Sequence, residues 1–322
     1  MRGKRASAFA ERAHSGATMK RLVIAMACAV FSLSATARAG SGPVFETSDV
    51  DRFYRIYDAA QGHPSAEQLQ RDYLDAGSAG LHELAKVRNL TGARIADAIA
   101  KQPQLYTNAK RCLAILPPAR QGIQAAMRKL GELYPEARFP PITIVVSRGK
   151  PVAIGSPTGG VEVSLEAVCA SKGLDPDFED WFVHMVTHEY AHVQQSAYLS
   201  DDEHTTVLQA SLAEGGAEFI AELTSGRVAY SEFASETKGR ELEIETAFAP
   251  DEDKTDLSKW FYNHPGTAQW PPDLGYWVGY RITKSYYQHA SDKRRALREI
   301  FGITDANAFL AKSGWRPGMR LD

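Results

Sequence analysis

Long apolar segments are missing from residues 40–322 of this 322-residue chain, and so is an excess of positive charge. A helix that crosses a bilayer needs about 20 mostly apolar residues, so we expect no membrane span after residue 39. Residues 1–39 hold seven of the 37 Lys and Arg and one of the 39 Asp and Glu, which leaves the remainder with a net charge of −8. This balance favours solubility and argues against binding to the phosphate backbone of a nucleic acid.

Cysteine is also scarce, with three in the chain. Cys28 lies inside an apolar run with more apolar sequence after it, so we interpret it as ordinary signal sequence and not as a lipid-attachment site. Cys112 and Cys169 are the two cysteines beyond residue 39. Export would permit a disulfide between them, and two buried free thiols are the alternative.

The amino-terminal segment is typical of a secretory signal peptide. From Met19 the chain reads "MKRLVIAMACAVFSLSATARAG", with a basic start, an apolar run over 22–37 and an Ala-Arg-Ala cleavage site before Gly40. This pattern predicts removal of residues 19–39 and export to the periplasm or the medium. A single membrane anchor is the rival interpretation, but the run is short and ends in small residues. Residues 1–18 precede this segment and carry no inference about the fold.

The order of the periodic segments predicts an α+β protein in which helix dominates around a small mixed sheet. Residues 40–322 are expected to form one domain with four parts: helices over 46–138, a sheet over 142–166, helices over 175–226 and further helices over 274–315. "ITIVV" (142–146) is predicted to be a buried strand. "VEVSLE" (161–166) alternates apolar and polar residues, which predicts a strand with one exposed face and a free edge where a peptide substrate could add as a further strand. Residues 249–273 are expected to be a long loop.

The motif "HEYAH" within the helix predicted over 175–195 has the spacing of a metal site. His188 and His192 are four residues apart and therefore lie one turn apart on the same face of a helix, where both rings can bind one zinc ion. Glu189 lies about 100° around the helix axis and can act as a general base toward a water that the ion makes acidic. The alternative is a helix with two surface histidines whose ring nitrogens are hydrogen-bonded and bind no metal. His184, a further turn earlier, is expected in core packing or behind a ligand, because a straight helix cannot wrap one ion over three turns.

A catalytic zinc site needs a third protein ligand. The metzincin pattern is excluded because Gln195 and Tyr198 occupy its Gly and His positions, and the Gly-Thr-x-x-Asp pattern is excluded because Trp270 replaces its Asp. A glutamate from the next helix is the remaining option.

Three glutamates follow at four-residue spacing on the next predicted helix, in "LAEGGAEFIAEL": Glu214, Glu218 and Glu222. Two glycines after Glu214 cost helix stability unless another backbone approaches closely, and the His188 helix is the expected neighbour. This favours Glu214 as the ligand and Glu218 as a hydrogen-bond partner of a ligating histidine. Glu222 fits a solvated face.

Three side chains are candidates for steadying the negative charge that develops on the substrate. Tyr276 is the preferred residue. Tyr280, one turn later, and His264, in the preceding loop, are the alternatives. Both tyrosines could instead serve only in aromatic packing.

An ordered set of motifs resembles one family. "LYPEARFPPITIVV", "EVSLE", "HEYAHVQQ", "EGGAEFIAELTSG" and "GYWVGY" are similar to the successive motifs of predicted zinc-dependent proteases related to a gliding-motility lipoprotein. The resemblance extends over most of residues 46–315. It implies a gluzincin-like, zincin-type fold with His188, His192 and Glu214 as zinc ligands and Glu189 as the base.

These observations favour an exported zinc metallopeptidase that acts on a peptide or protein substrate. A cell-envelope binding protein without catalysis, built on the same scaffold, is the first alternative, although such a protein would not need Glu189. A helical envelope protein with a coincidental motif is the second. The sequence does not identify the substrate.

Overall fold

The computed structural model describes residues 42–156, 160–172, 178–200, 202–226, 236–267 and 269–321. The predicted signal peptide lies outside these residues, as do the predicted helix start at Asp175 and the centre of the turn between residues 155 and 160. Within the described part of the chain, no helix combines the length and the apolar composition that crossing a bilayer requires.

The amino-terminal part of the described chain is helical. Its helices are Ser48–Ala59 (α1), Ala66–Gln68 (α2, continued by the π-helical turn Leu69–Leu74), Ala79–Val87 (α3), Gly92–Lys101 (α4), Pro103–Cys112 (α5, followed by the 3-10 turn Leu113–Ile115) and Leu116–Leu133 (α6). An aromatic cluster fills the space between them, with the Phe53 ring 5.3 Å from that of Tyr73 and 5.9 Å from that of Tyr106. The Tyr73 hydroxyl exchanges two hydrogen bonds with the backbone of Val146, which ties these helices to the sheet.

A small sheet follows. Its strands are Phe45–Glu46 (β1), Ile142–Val145 (β2), Ala153–Gly155 (β3) and Val161–Ser164 (β4), in the order β1-β2-β4-β3. β1 and β4 run parallel to β2, whereas β3 runs antiparallel to β4. The prediction of a buried strand at "ITIVV" is therefore confirmed, and so is the coarse class of a mostly helical α+β protein with a small mixed sheet.

The prediction for "VEVSLE" is wrong in two respects. β4 lies inside the sheet and is buried along its whole length, and it ends at Ser164, where helix Leu165–Lys172 (α7) begins. The polar residues of the alternating pattern are buried, and the Ser164 hydroxyl accepts a hydrogen bond from that of Ser147. The strand at the sheet edge on this side is β3.

The described residues of the carboxyl-terminal half are again mostly helical. Its helices are Phe178–Gln194 (α8), Val207–Ser225 (α9), Glu241–Phe248 (α10), Leu274–His289 (α11), Lys293–Phe301 (α12) and Ala306–Lys312 (α13), with 3-10 turns at Ala197–Leu199 and Ala249–Asp251. The Thr206 side chain caps α9 by accepting a hydrogen bond from the backbone of Gln209, and Gly226 ends that helix with φ at +82°. α9 packs against both α8 and α11. The loop before α11 is anchored by the fully buried Trp260, whose indole N–H donates to Asp251.

Candidate metal centre

Three donor atoms converge between α8 and α9. Nε2 of His188 lies 3.0 Å from Nε2 of His192, and each nitrogen lies 3.3 Å from Oε2 of Glu214. Zinc bonds of about 2.0–2.1 Å in a tetrahedron separate neighbouring ligand atoms by about 3.3 Å. The triangle therefore has the size that one zinc ion needs. Among the described residues this is the one group of three or more such side chains close enough to hold a metal ion.

The far side of each imidazole faces a hydrogen-bond acceptor. Nδ1 of His188 lies 2.7 Å from Oε1 of Glu218, and Nδ1 of His192 lies 2.8 Å from Oε1 of Gln195. The amide nitrogen of Gln195 donates to the carbonyl oxygen of Ala213 at 2.6 Å, so its oxygen must be the atom that faces His192. Both acceptors favour a proton on Nδ1, which leaves the Nε2 lone pair of each ring directed at the triangle.

The charges around the triangle favour a cation. Burial lowers the pKa of His188, but the carboxylates of Glu218 and Glu214 outweigh this effect and hold it well above its usual range. Burial raises the pKa of Glu214, but His192 and His188 outweigh it and hold that pKa below its usual range. The pKa of Glu218 is lowered to about 2 because His188 and His184 outweigh its burial. Three acceptor atoms about 3 Å apart in this negative field suit a divalent cation, so the residues present fit the predicted zinc.

Glu189 lies beside the triangle and against the edge of the sheet. Its carboxylate accepts a hydrogen bond from the backbone N–H of Gly155 in β3, and burial raises its pKa despite the opposing effect of His188 and His192. A Cβ atom on Gly155 would lie 2.1 Å from the carbonyl oxygen of Glu189, so only glycine allows β3 to approach α8 this closely. The candidate base is thus half-buried and held next to the edge strand.

The three candidates for stabilising negative charge on the substrate, Tyr276, Tyr280 and His264, lie in different surroundings. The Tyr276 ring lies 6.4 Å from the His188 ring and nearly parallel to it, and Phe261 packs 5.6 Å away on another side. The Tyr280 hydroxyl instead donates to Glu222 and receives a hydrogen bond from Lys284. Glu222, expected on a solvated face, is therefore part of a half-buried polar cluster.

His264 is mostly exposed, and its Nε2 lies 2.6 Å from Oδ2 of Asp273 at the start of α11. Of the three candidates, the structure brings Tyr276 alongside His188, one of the three candidate ligands.

The close approach expected at the glycine pair of α9 is present, but its partner differs. A Cβ atom on Gly215 would lie 2.1 Å from the backbone nitrogen of Tyr280, so the neighbouring backbone is that of α11 and not that of the His188 helix. The nearest atoms to a Cβ on Gly216 would be 3.7 Å away or more, which is ordinary contact. α9 contacts α8 through long side chains such as Glu214 and Glu218. Such contacts require a larger distance between the two helix backbones than a contact at glycine does.

Gln195 is the contact of the site that sequence reasoning missed. In the sequence its position serves only to exclude the metzincin pattern, yet it lies three residues after His192, directly after the end of α8, and contacts both His192 and α9. A glutamine at that spacing from a ligating histidine is a usable signal, because residues three apart on a helix are neighbours. His184, in contrast, is not among the three donors, in agreement with the prediction, and its Nε2 lies 2.8 Å from Oε2 of Glu218.

Three comparisons with known proteins gave one match. Neither the comparison with curated proteins nor that with solved structures gave a match. Residues 175–301 match the model of a family described as "Predicted Zn-dependent protease (DUF2268)". The matched segment contains α8, α9, α10, α11 and α12, and with them all three donors of the triangle, Glu189 and Tyr276. Over this segment the chain is therefore similar to a predicted zinc-dependent protease family, as its motifs indicate.

Proposed function

We propose that the protein is an exported zinc metallopeptidase of gluzincin type, with His188, His192 and Glu214 as the zinc ligands. The observation that carries the proposal is the triangle of Nε2, Nε2 and Oε2 atoms with Glu189 next to it. A zinc ion held there would polarise the scissile carbonyl and make a water molecule acidic enough to attack it near neutral pH.

The residues around the triangle have complementary roles in this proposal. Glu189 accepts the proton of the attacking water and passes it to the leaving amine, for which its raised pKa is suited. Tyr276, stacked near His188, donates its hydroxyl proton in a hydrogen bond to the oxygen on which negative charge develops. His192 keeps its Nε2 toward the ion through Gln195, and His188 does so through Glu218.

A peptide substrate would bind along β3. Among the described residues this strand pairs with β4 on one side only, and Gly155 places it against Glu189. An extended substrate can therefore pair with its outer edge through main-chain hydrogen bonds, next to the proposed base. The edge strand, the helix with the two histidines and the helix with the glutamate together support a zincin-like arrangement.

Export is supported by the covalent link between Cys112 and Cys169, whose Cα atoms are 5.9 Å apart. Disulfides form and persist in oxidising compartments and are rare in the cytosol. The link agrees with the signal peptide predicted over residues 19–39.

The decisive experiment is metal analysis combined with digestion of a peptide library, comparing the wild type with Glu189→Gln. We expect about one equivalent of zinc in both proteins. Hydrolysis by the variant should fall by a factor of roughly 10²–10⁴, because the base is lost and the ligands remain. Glu179→Gln, an exposed change in the first turn of the same helix, is the matched control and should keep both properties.

The other outcomes separate the alternatives. Full activity of Glu189→Gln would contradict the assigned base. Zinc without any hydrolysis in the wild type would indicate a binding protein on the same scaffold. Absence of zinc from the wild type, or zinc that persists in His188→Ala, would contradict the proposed metal centre.

A further inference from the structure

We propose that His184 is a positioning residue for the zinc centre and acts through Glu218, an inference that rests on the proposed function. The carboxylate of Glu218 connects two histidines of α8, with one oxygen for each. Oε1 lies 2.7 Å from Nδ1 of His188, and Oε2 lies 2.8 Å from Nε2 of His184.

The burial of these side chains argues against simple space filling. His184 is 2% exposed and Glu218 is 7% exposed, in a part of α8 and α9 where most neighbours are apolar. A leucine or phenylalanine would fill the same volume without bringing a polar ring into the interior. A buried polar group is favourable only when it is hydrogen-bonded, and His184 meets this condition through the carboxylate that also faces a zinc ligand.

The second contact fixes the orientation of the carboxylate. A glutamate held at one oxygen can still rotate about its terminal bond, because that torsion has a broad energy profile. Contacts to two rings one helical turn apart fix both oxygens relative to α8. The oxygen next to His188 is then held 2.7 Å from Nδ1, where its negative charge favours a proton on that nitrogen and leaves the Nε2 lone pair for the ion.

Loss of His184 would disturb the same carboxylate. Oε2 would lose a donor inside the protein, and an unsatisfied buried acceptor is costly. The carboxylate would then turn toward another donor and leave His188 less well oriented. Removing the direct partner of a metal ligand typically lowers metal affinity about 10–100-fold, and misplacing the Glu218 carboxylate should have an effect of up to this size.

The test measures zinc affinity by competition with a chelator in the full protein, for the wild type, His184→Phe and His184→Gln. Phenylalanine fills the space without a donor, whereas the amide nitrogen of glutamine can reach the position of Nε2. We expect the zinc dissociation constant to rise about 10–100-fold in His184→Phe and to stay within about threefold of the wild type in His184→Gln. The visible spectrum of the Co²⁺-loaded protein should change in the first variant and not in the second.

A double-mutant cycle tests whether His184 acts through Glu218. In a Glu218→Ala background, His184→Phe should have no further effect on zinc affinity. An unchanged dissociation constant in His184→Phe, or an equal loss with and without Glu218, would overturn the inference while leaving the proposed function intact. A wild type that binds no zinc would overturn both.

Folding is checked by the thermal unfolding of the metal-free proteins. If His184→Phe does not fold, His184→Gln and His184→Asn replace the comparison, because the shorter asparagine cannot reach Oε2. Asparagine should then lose zinc affinity and glutamine should retain it, and equal affinities of these two variants would overturn the inference.

Discussion

Gly215 of α9 and Gly279 of α11 bring two helix backbones into direct contact. A Cβ atom on Gly215 would lie 2.3 Å from the carbonyl carbon of Gly279, and a Cβ atom on Gly279 would lie 1.7 Å from the carbonyl oxygen of Ser211. Glu214 immediately precedes Gly215, and Tyr276 lies about one helical turn before Gly279. The crossing therefore holds a proposed zinc ligand and the preferred tyrosine near each other.

This contact gives a matched pair of variants, Gly215→Ala and Gly216→Ala. A methyl group added at position 215 would overlap the α11 backbone and force the helices apart, so we expect a loss of unfolding free energy of about 1–3 kcal/mol or more. A methyl group added at position 216 would meet nothing closer than 3.7 Å. Since alanine favours helix over glycine by about 1 kcal/mol, Gly216→Ala should be neutral or stabilising. Urea unfolding of both variants measures the difference, and equal effects at the two positions would contradict the crossing.

Local sequence signals predicted the elements of the site well. The buried strand at 142–145 and the four-residue spacing of His188 and His192 each depend on neighbours in the chain. Such signals are read from periodicity, which requires no knowledge of distant contacts.

The errors concern which distant segments meet. Alternation in 161–166 predicts one exposed face, but β4 pairs with strands on both sides and is buried along its whole length. The glycine pair correctly indicates a close approach without identifying α11 as the neighbour. Strand order and helix neighbours are set by packing across the whole domain, and a single sequence gives little information about them.

Gln195→Leu tests the hydrogen bond that orients His192. Leucine keeps the volume but removes the acceptor for Nδ1, so we expect zinc affinity to fall about 10–100-fold, measured by chelator competition. Gln194→Leu is the control on the neighbouring residue. Gln194 bonds to the backbone of Arg138 and Tyr190 and to none of the three proposed zinc ligands, so its loss should lower stability and leave zinc affinity unchanged. The prediction fails if both variants bind zinc equally well.

Removal of the disulfide should lower the unfolding free energy without altering the proposed metal centre. Cys112 and Cys169 join the end of α5 to α7 across a separation of 57 residues. Closing a loop of this length stabilises a folded chain by about 4 kcal/mol through the entropy of the unfolded state. We therefore expect the double variant Cys112→Ser/Cys169→Ser to lose an amount of that order in urea unfolding. Wild-type protein unfolded with a reductant should behave like the variant, and a reductant should not affect the variant itself.

Glu162 should make stability fall as pH rises. This β4 residue is 2% exposed, and burial is the main reason that its pKa is raised from 4.5 to about 7, with Glu83 and Glu189 adding to the shift. Below pH 4.5 the carboxyl group is protonated whether the chain is folded or unfolded and has no effect. Between pH 4.5 and about 7 the unfolded chain ionises while the folded chain does not, so the unfolding free energy decreases, and it levels off above that range.

Glu162→Gln removes this ionisation and isolates its contribution. We expect the unfolding free energy of the wild type, relative to that of the variant, to fall by about 2–3 kcal/mol between about pH 5 and pH 8. Urea unfolding of both proteins at the two pH values gives the quantity directly. A difference in unfolding free energy that does not depend on pH, such as one from a poorer fit of the amide, cancels because each protein is compared with itself at two pH values. Parallel pH profiles for the two proteins would show that the Glu162 carboxyl ionises in the folded protein as it does in water, contrary to the effect expected from its burial in β4.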